Sequence, residues 1–392
     1  MKYDFDEIID RKGSDALKVE ALKARWGRED LIPMWVADMD FRTPPYIIDA
    51  IRKRCDSGIL GYTSVPESWS KSIINWLKIR YNWEVSRDIL TFSPGIVQGL
   101  AFAIKCFTKQ KDKIMVMSPV YHPFFLVSEH NNREVVYSSL KIENGNIEID
   151  FEKFRTDIKG CNVLILCNPH NPGGRVWTKE ELEKIADICY DKQVLVFSDE
   201  IHADLTFPGN KHIPFATVSE KAKNNSLIFM SPSKAFNMPG LLSSYIIIPN
   251  PEINKLFKKY MTASEHDSGH MFAYTCTAAA YSNGTEWLDQ ALDYIMNNIT
   301  YLFTRLSEKM PRIKPIRPEA SYLVFLDCRD LGLEQKELVN FFVDGAHLAL
   351  NDGAMFGKEG VGFMRMNVAC PRSILEKALD QLEEAYLQLI NK

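Results

Sequence analysis

The sequence predicts an α/β fold built around a mostly parallel sheet that is sandwiched by helices. Short, apolar, β-branched runs recur along the chain with little polar alternation, which is typical of strands covered on both faces. Helical patterns lie between several of these runs, as expected when helices connect parallel strands. The chain of 392 residues is also longer than one simple core requires.

The strand-like runs before residue 280 alternate with helical stretches. The clearest helix begins at Thr178, where Thr178 as N-cap and Glu181 three residues later form a capping box. This helix carries Leu182, Ile185 and Cys189 on one side. The predicted strands cover residues 89–92, 113–117, 134–137, 163–166, 194–197, 227–230 and 245–248.

The pattern changes near residue 280, which predicts a second, smaller α/β domain. A long amphipathic helix over about 286–309 is followed by prolines, two short strands at 322–326 and 362–367, and a final helix over 373–390. The predicted organisation is an N-terminal segment, 1–44, that packs with the small domain, then a large domain, 45–280, and the small domain, 281–392.

Composition excludes several classes of protein. Lys and Arg number 47 against 51 Asp and Glu, and this net charge of −4 disfavours a nucleic-acid partner. The longest apolar runs are too short to span a membrane, and the first residues do not resemble a secretory signal. The eight cysteines form no CxxC pair, which predicts buried thiols in a reducing compartment and a cytoplasmic protein.

No metal site is predicted. His266 and His270 have the helical spacing of two metal ligands, but no glutamate of the HExxH type lies between them. We therefore interpret this pair as structural.

Polar residues follow several predicted strands, and ligands of an open α/β sheet bind outside the carboxyl ends of its strands. Lys234 follows the strand 227–230 beside Ser231 and Ser233. A lysine held among apolar residues has a lowered pKa and can form a Schiff base, and the two hydroxyls can donate to a phosphate. The alternative is an ordinary solvated lysine.

Asp199 closes the strand 194–197, where a carboxylate can hold a positive charge such as a protonated pyridine nitrogen. A helix N-cap is an equally good interpretation of an aspartate at this point. The turn at Gly95 joins a strand to a helical stretch, and backbone N–H groups at a helix start favour an anion.

The turn over residues 168–174 contains two prolines and two glycines, which make it stiff. Turn formation explains Pro and Gly, but it does not explain the paired Asn168 and Asn171, whose amides can donate to a bound ring. His170 in the same turn is expected at the surface.

Together these motifs resemble the fold-type I pyridoxal 5'-phosphate (PLP) enzymes, and more narrowly the class I/II aminotransferase branch. The shared pattern is Asn171-Pro172-Gly173, then Asp199 after 28 residues, then Ser231-x-Ser233-Lys234 after another 35. The resemblance covers nearly the whole chain, and it implies a large PLP-binding domain with a smaller C-terminal α/β domain.

The resemblance assigns a role to each matching residue. Lys234 corresponds to the lysine that binds PLP covalently as an internal aldimine, Asp199 to the carboxylate at the pyridine nitrogen, and Asn171 to the partner of the ring hydroxyl. Arg365 corresponds to the arginine that binds the substrate carboxylate, and Tyr62 to a tyrosine that reaches the phosphate of a neighbouring subunit. This last match implies a homodimer with shared active sites.

The resulting candidate residues fall into overlapping sets. The cofactor-binding set is Tyr62, Gly95, Ile96, Val97, Tyr121, Asn171, Asp199, His202, Ser231, Ser233 and Lys234. The substrate-binding set is Ala37, Asn171 and Arg365, and the catalytic set is Lys234, Tyr62 and Tyr121.

Two departures distinguish the chain from typical aminotransferases of this branch. Leu242 stands eight residues after the lysine, where an arginine is common, and His202 stands three residues after the aspartate, where a tyrosine is common. Both departures, and the segment 33–41, resemble the cystathionine β-lyase-like C–S lyase subgroup (MalY/PatB type).

The expected function is therefore β-elimination from a sulfur amino acid such as cystathionine, cysteine or a cysteine S-conjugate, giving a thiol or hydrogen sulfide, pyruvate and ammonia. Such an enzyme would belong to amino-acid metabolism and methionine biosynthesis. An aminotransferase is the runner-up. A PLP-binding regulatory protein that acts through a protein partner is the alternative from another class.

Overall fold

The computed structural model describes residues 2–391. The strands are β1 (Ile32–Pro33), β2 (Leu90–Ser93), β3 (Lys113–Ser118), β4 (Glu134–Ser139), β5 (Lys141–Glu143), β6 (Asn146–Glu148), β7 (Val163–Cys167), β8 (Leu195–Asp199), β9 (Ser226–Met230), β10 (Ser244–Ile247), β11 (Lys314–Ile316), β12 (Leu323–Asp327), β13 (Leu348–Ala349), β14 (Asn351–Asp352) and β15 (Phe363–Asn367). The α-helices are α1 (Leu17–Glu20), α2 (Leu22–Trp26), α3 (Pro45–Cys55), α4 (Glu67–Tyr81), α5 (Ile96–Phe107), α6 (Pro123–His130), α7 (Phe151–Asp157), α8 (Lys179–Asp191), α9 (Glu220–Asn224), α10 (Pro251–Ala263), α11 (Met271–Asn283), α12 (Thr285–Lys309), α13 (Gln335–Asn340) and α14 (Arg372–Ile390).

The main sheet has seven strands in the order β2-β10-β9-β8-β7-β3-β4. Only β10 runs antiparallel to its neighbours, so the mostly parallel sheet predicted from the sequence is confirmed. After β3 the chain forms β4 on one side of β3, and the next strand of this sheet, β7, lies on the other side of β3. This reversal creates a crevice beyond the carboxyl ends of β3 and β7, which is where an open α/β sheet binds its ligand.

Helices cover both faces of the main sheet, which explains why its strands lack polar alternation. Every residue of β7 is buried. Ile165 packs in a cluster with residues of α5 and α10, whereas its neighbour Leu164 packs in a second cluster with residues of α4, α8 and α11. Each side chain of this kind contributes about 1.5–3 kcal/mol when it is fully buried.

A second, antiparallel sheet has the order β11-β12-β15-β14 and places Arg365 on β15. The N-terminal segment contacts the same part of the chain. Ile32 and Pro33 pair with Leu348 and Ala349 in a short parallel ladder. This pairing brings residues 34–41 between the two sheets.

The predicted elements agree with the structure apart from small shifts at their ends. The capping box of α8 is present: the Thr178 hydroxyl accepts from the Glu181 N–H at 3.2 Å, and the Glu181 carboxylate accepts from the Thr178 N–H at 2.7 Å. No helix within residues 2–391 combines the length and apolarity that a membrane crossing needs.

Candidate active site

A cavity of about 160 Å³ lies at the carboxyl ends of the parallel strands. It brings together residues from the carboxyl ends of five strands, from the start of β10 and from the N-terminal segment. Of the candidates predicted from the sequence, the cavity is lined by Ala37, Gly95, Ile96, Val97, Tyr121, Asn171, Asp199, His202, Ser233 and Lys234. Most of the predicted site residues therefore meet at one place.

Lys234 follows β9 and extends into this cavity. Its Nζ donates to the Ala37 carbonyl at 2.5 Å, and the same carbonyl accepts from the Tyr322 hydroxyl at 3.0 Å. Burial lowers the pKa of Lys234 to about 8, while the negative charges of Asp38 and Asp199 act in the opposite direction. More of this amine is unprotonated at neutral pH than in an ordinary lysine, which suits a nucleophile or base.

Asp199 is the last residue of β8 and is buried. One carboxylate oxygen accepts from the Ile201 N–H at 3.0 Å, which is the kind of contact that an N-cap makes. This contact uses only one of the two carboxylate oxygens. Burial raises the pKa of Asp199 to about 7. A carboxyl group with this pKa can share a proton with a basic ring nitrogen.

His202 lies beside Asp199 in the same cavity and is buried. Burial lowers the pKa of His202 to about 3, so its imidazole is neutral at physiological pH. Within the described chain its Nδ1 has no hydrogen-bond partner. A neutral ring in this position adds no charge to the cavity.

Asn171 and Arg365 connect the two sheets at the site. The Arg365 Nη1 donates to the Asn171 Oδ1 at 2.9 Å, and the Nη2 donates to the Asn351 Oδ1 at 2.7 Å. The guanidinium lies 4.8 Å from the centre of the Phe356 ring. Burial lowers the pKa of Arg365 to about 10, so the group stays cationic, and its buried Nε lacks a partner in residues 2–391.

One end of the cavity is suited to a phosphate. Helix α5 begins after Gly95, and its first backbone N–H groups favour an anion. Ser233 lines the cavity, and the Ser233 N–H donates to the Ser231 hydroxyl at 3.2 Å. Leu242, at the position where an arginine is common, also lines the cavity and is followed by Ser243, whose buried hydroxyl has no partner in the described chain.

The two candidate tyrosines differ in location. Tyr121 lines the cavity, its backbone N–H donates to the Asn171 carbonyl at 3.0 Å, and burial raises the pKa of its hydroxyl. Tyr62 is fully exposed and lies outside the cavity of its own chain. Its role at the site of a neighbouring subunit stays a prediction.

His170 is not at the surface, and that expectation is wrong. The ring is buried, and its Nε2 lies 2.8 Å from the Pro119 carbonyl oxygen. Gly174 in the same turn has a φ of +68°, and its carbonyl accepts from the N–H groups of Glu319 and Ala320 at 2.8 and 3.0 Å. The turn is therefore packed against a second part of the chain.

Several residues of the site were not predicted from the sequence. Ser243 and Ile201 lie next to residues that were predicted, so their proximity was a usable signal. Tyr322 is the first residue of the predicted strand 322–326, but it matches no motif. Asn351 carries no signal in the sequence, because its contact with Arg365 depends on the pairing of β14 with β15.

Comparison with known proteins identifies the family. Residues 29–382 match the family "Aminotransferase class I and II". The chain belongs to this family.

Individual relatives are similar over nearly their whole length. The chain is 38% identical over 387 residues to cystathionine beta-lyase PatB of Bacillus subtilis, covering 97% of this chain and 99% of that protein. The PLP-bound C-S lyase of Staphylococcus hominis has a TM-score of 0.91 and 36% identity, with 99% of each chain covered. A PLP-bound protein of Clostridium difficile 630, described as a candidate aminotransferase, has a TM-score of 0.96 and 42% identity, covering 98% of this chain and 100% of that chain.

Proposed function

We propose that this protein is a PLP-dependent carbon–sulfur β-lyase that cleaves the Cβ–S bond of a sulfur amino acid and, with uptake of one water, gives a thiol, pyruvate and ammonia. The observation that carries the proposal is the convergence of Lys234, Asp199 and Asn171 on one cavity, with Arg365 bonded to Asn171 at its edge. The substrate is a small molecule. The chain's similarity to a cystathionine beta-lyase and to a C-S lyase supports elimination over amino-group transfer.

The residues of the cavity fit PLP. Lys234 would bind the aldehyde, Asp199 would hold the pyridine nitrogen, Asn171 the ring hydroxyl, and Tyr121 would lie against the ring. The first N–H groups of α5 and the hydroxyls of Ser231, Ser233 and Ser243 would hold the phosphate. The fit rests on two features of the cavity: a buried serine hydroxyl without a partner in the described chain, and an aspartate whose pKa is raised to about 7 by burial.

PLP, when bound, withdraws electrons from Cα of an amino acid, which makes the Cα proton acidic and the Cβ substituent a leaving group. Arg365 binds the α-carboxylate through its guanidinium, a geometry suited to two parallel hydrogen bonds. This contact holds Cα near Lys234. The Lys234 amine then takes the Cα proton, for which its lowered pKa of about 8 is suited.

The leaving sulfur needs a proton source. The ammonium of Lys234, once it has taken the Cα proton, is one donor. The Tyr121 hydroxyl is a second, because it lines the same cavity. Tyr62 of a neighbouring subunit is a third.

We propose a cytoplasmic homodimer whose two sites are shared and which uses neither nucleic acid nor a membrane as partner. The loop before α4 exposes Ile59, Leu60 and Tyr62, an apolar surface that a second copy of the chain would cover. Six of the eight cysteines are buried, and all are free thiols, which suits a reducing compartment. We also propose the division into residues 1–44, 45–280 and 281–392.

The proposal is tested by replacing Lys234. We expect Lys234→Ala to lose the visible absorbance of covalently bound PLP and to lower pyruvate release by at least about a thousandfold, because both attachment and proton transfer need the amine. The matched control is Lys336→Ala on the exposed side of α13. A Lys234→Ala protein that keeps the borohydride-sensitive band and the activity would contradict the proposal.

The reaction type is tested separately with a panel of cystathionine, cysteine and S-alkyl cysteines. A lyase releases pyruvate from these substrates without an added keto acid. If amino-group transfer to an added keto acid greatly exceeds pyruvate release, the protein is an aminotransferase.

A further inference from the structure

A segment that crosses between the two sheets, residues 35–41, contacts both Lys234 and Arg365. We call it the crossing segment. The Ala37 carbonyl accepts from the Lys234 Nζ at 2.5 Å, and the Trp35 carbonyl accepts from the Arg365 Nη2 at 3.3 Å. The expected cofactor lysine and the expected substrate arginine are therefore joined through two residues of main chain.

Asn237 holds the later part of the crossing segment, residues 39–41. Its Oδ1 accepts from the Met39 N–H at 3.0 Å, and its Nδ2 donates to the carbonyls of Met39 and Phe41 at 3.0 and 2.7 Å. Asn237 has a φ of +47° and lies three residues after Lys234. One side chain thus satisfies three main-chain groups of the crossing segment.

Asn367 holds the middle of the segment from the second sheet. Its Nδ2 donates to the carbonyls of Val36 and Asp38 at 2.7 and 2.6 Å. Asn367 lies on β15, two residues after Arg365. The crossing segment is therefore held on one side by a neighbour of Lys234 and on the other side by a neighbour of Arg365.

Charged groups of the N-terminal segment complete the support. Lys18 is buried and its Nζ lies 2.8 Å from Asp40, while Arg11 lies 2.7 Å from Asp38. These contacts tie the crossing segment to two side chains that do not line the cavity. They fix the place of Asp38, whose charge favours the protonated form of Lys234.

We propose that Asn237 is a positioning residue that sets the distance between the Ala37 carbonyl and the Lys234 amine, and so controls how readily that amine reacts with PLP. This inference rests on the proposed function. Asn237 does not line the cavity, so it acts through the crossing segment and not by touching cofactor or substrate. The Asn237 side chain holds this part of the crossing segment firmly, because all three of its main-chain partners lie within residues 39–41.

The direction of the effect follows from the groups that face Lys234. Asp199 on β8 and Asp38 on the crossing segment favour the protonated amine, and Arg365 on β15 opposes it. Three neutral rings near Lys234 add no charge. They belong to Tyr322, which shares the Ala37 carbonyl, and to His202 and Tyr121, which line the cavity. If the segment moves away, Lys234 loses both a hydrogen-bond acceptor and the nearby charge of Asp38, so its pKa falls.

The test uses Asn237→Gly, because glycine accepts the left-handed conformation and the variant therefore removes the hydrogen bonds without adding backbone strain. The apoprotein is mixed with PLP, and the capture rate is followed by visible absorbance as a function of pH. We expect the pH midpoint for capture to fall by about half a unit or more, as loss of an acceptor and a charge predicts. In the reconstituted enzyme we expect kcat to fall more than KM rises.

The matched control is Asn254→Ala. Asn254 is buried, donates to the Asp88 carbonyl at 2.9 Å, and lies outside the cavity. Its loss should lower the melting temperature without moving the midpoint. A second variant, Thr43→Val, removes the hydroxyl that donates to the Asn237 carbonyl at 2.7 Å and should move the midpoint in the same direction by a smaller amount.

The outcomes separate the two proposals. If wild-type apoprotein captures no PLP, the proposed function is wrong. If it captures PLP but Asn237→Gly behaves like Asn254→Ala, with a lower melting temperature and an unchanged midpoint, the positioning role is wrong. If Asn237→Gly does not fold, an unchanged midpoint in Thr43→Val overturns the role, and a lowered one supports it.

Discussion

Lys234, Asp199 and Arg365 have pKa values that depart from their ordinary range for one shared reason, which is burial. The shifts run in opposite directions because burial disfavours the charged form of each group. The amine has a pKa of about 8 and the carboxyl group a pKa of about 7, and both values lie close to neutral pH. Both groups can therefore exchange protons at neutral pH, as acid–base catalysis requires.

The raised pKa of Asp199 has a consequence for stability. Its folded-state pKa of about 7 lies above the ordinary carboxyl value of 3.8, so the contribution of the protonated group to folding is full below pH 3.8 and is lost as the pH rises through 7. We expect apoprotein with Asp199→Asn to gain stability relative to wild type as the pH rises from 5 to about 8. Thermal unfolding of both apoproteins across this range measures the difference. A difference that does not change with pH would contradict the assignment.

We expect the Ser243 hydroxyl to bind the PLP phosphate beside Leu242, the position at which an arginine is common in aminotransferases of this branch. We expect Ser243→Ala to weaken PLP binding by about tenfold, since a hydrogen bond to a charged group contributes about 1.5 kcal/mol or more. The matched control is Ser118→Ala, because the Ser118 hydroxyl is also buried without a partner in the described chain but lies outside the cavity. Equilibrium dialysis of PLP measures both variants, and equal effects would argue against the phosphate role.

At the scale of elements, the turn over residues 168–174 carries Asn171 and packs beneath residues 318–320. A Cβ at Gly174 would lie 2.8 Å from the Ala320 carbonyl oxygen and 2.4 Å from the Pro318 Cβ. The turn cannot move away from these atoms without also moving Asn171. The position of the asparagine therefore depends on how closely two distant parts of the chain approach.

We expect Gly174→Ala to destabilise the protein by about 3 kcal/mol, because backbone strain at positive φ adds to a main-chain clash. Gly160→Ala is the control: Gly160 has a φ of +74° but open space around its Cβ, so it should cost only about 1 kcal/mol. Chemical unfolding and kcat/KM are measured for both. A Gly174→Ala protein as stable and active as Gly160→Ala would show that the close packing is unimportant.

At the scale of the whole molecule, the exposed Tyr62 completes the site only if a neighbouring subunit supplies it. Mixing Lys234→Ala with Tyr62→Phe tests this sharing. A heterodimer of the two variants has one site with both native residues, so random subunit exchange should restore about a quarter of wild-type activity. Each variant alone should stay well below that level. A mixture no more active than the average of its parents would contradict shared sites.

Much of the fold was predictable because its signals are local. The strands of the main sheet are apolar on both faces, and the capping box of α8 lies within four consecutive residues. The order of the strands was not predictable in this way. It depends on crossover connections that leave no local pattern, such as the arrival of β7 beside β3.

The same distinction applies to the candidate site. Lys234, Asp199 and Asn171 each lie at a strand end, which made them candidates, and only their combination resembles the fold-type I PLP enzymes. Asn237 and Asn351 lie in no motif and were missed. Their roles depend on partners far away in the chain, Met39 in one case and Arg365 in the other.

By itself, the sequence determined the α/β class, the strand ends that carry polar residues, and the set of groups that can bind PLP and an amino acid. Hydrophobic patterning is sufficient for the first two, because it acts between residues that are close along the chain, and the binding groups follow from the resemblance to PLP enzymes. Only the tertiary structure decided that the crossing segment lies between Lys234 and Arg365, and that burial shifts their pKa values. These features depend on contacts such as that between Ala37 and Lys234, which are 197 residues apart and meet only when both sheets are assembled.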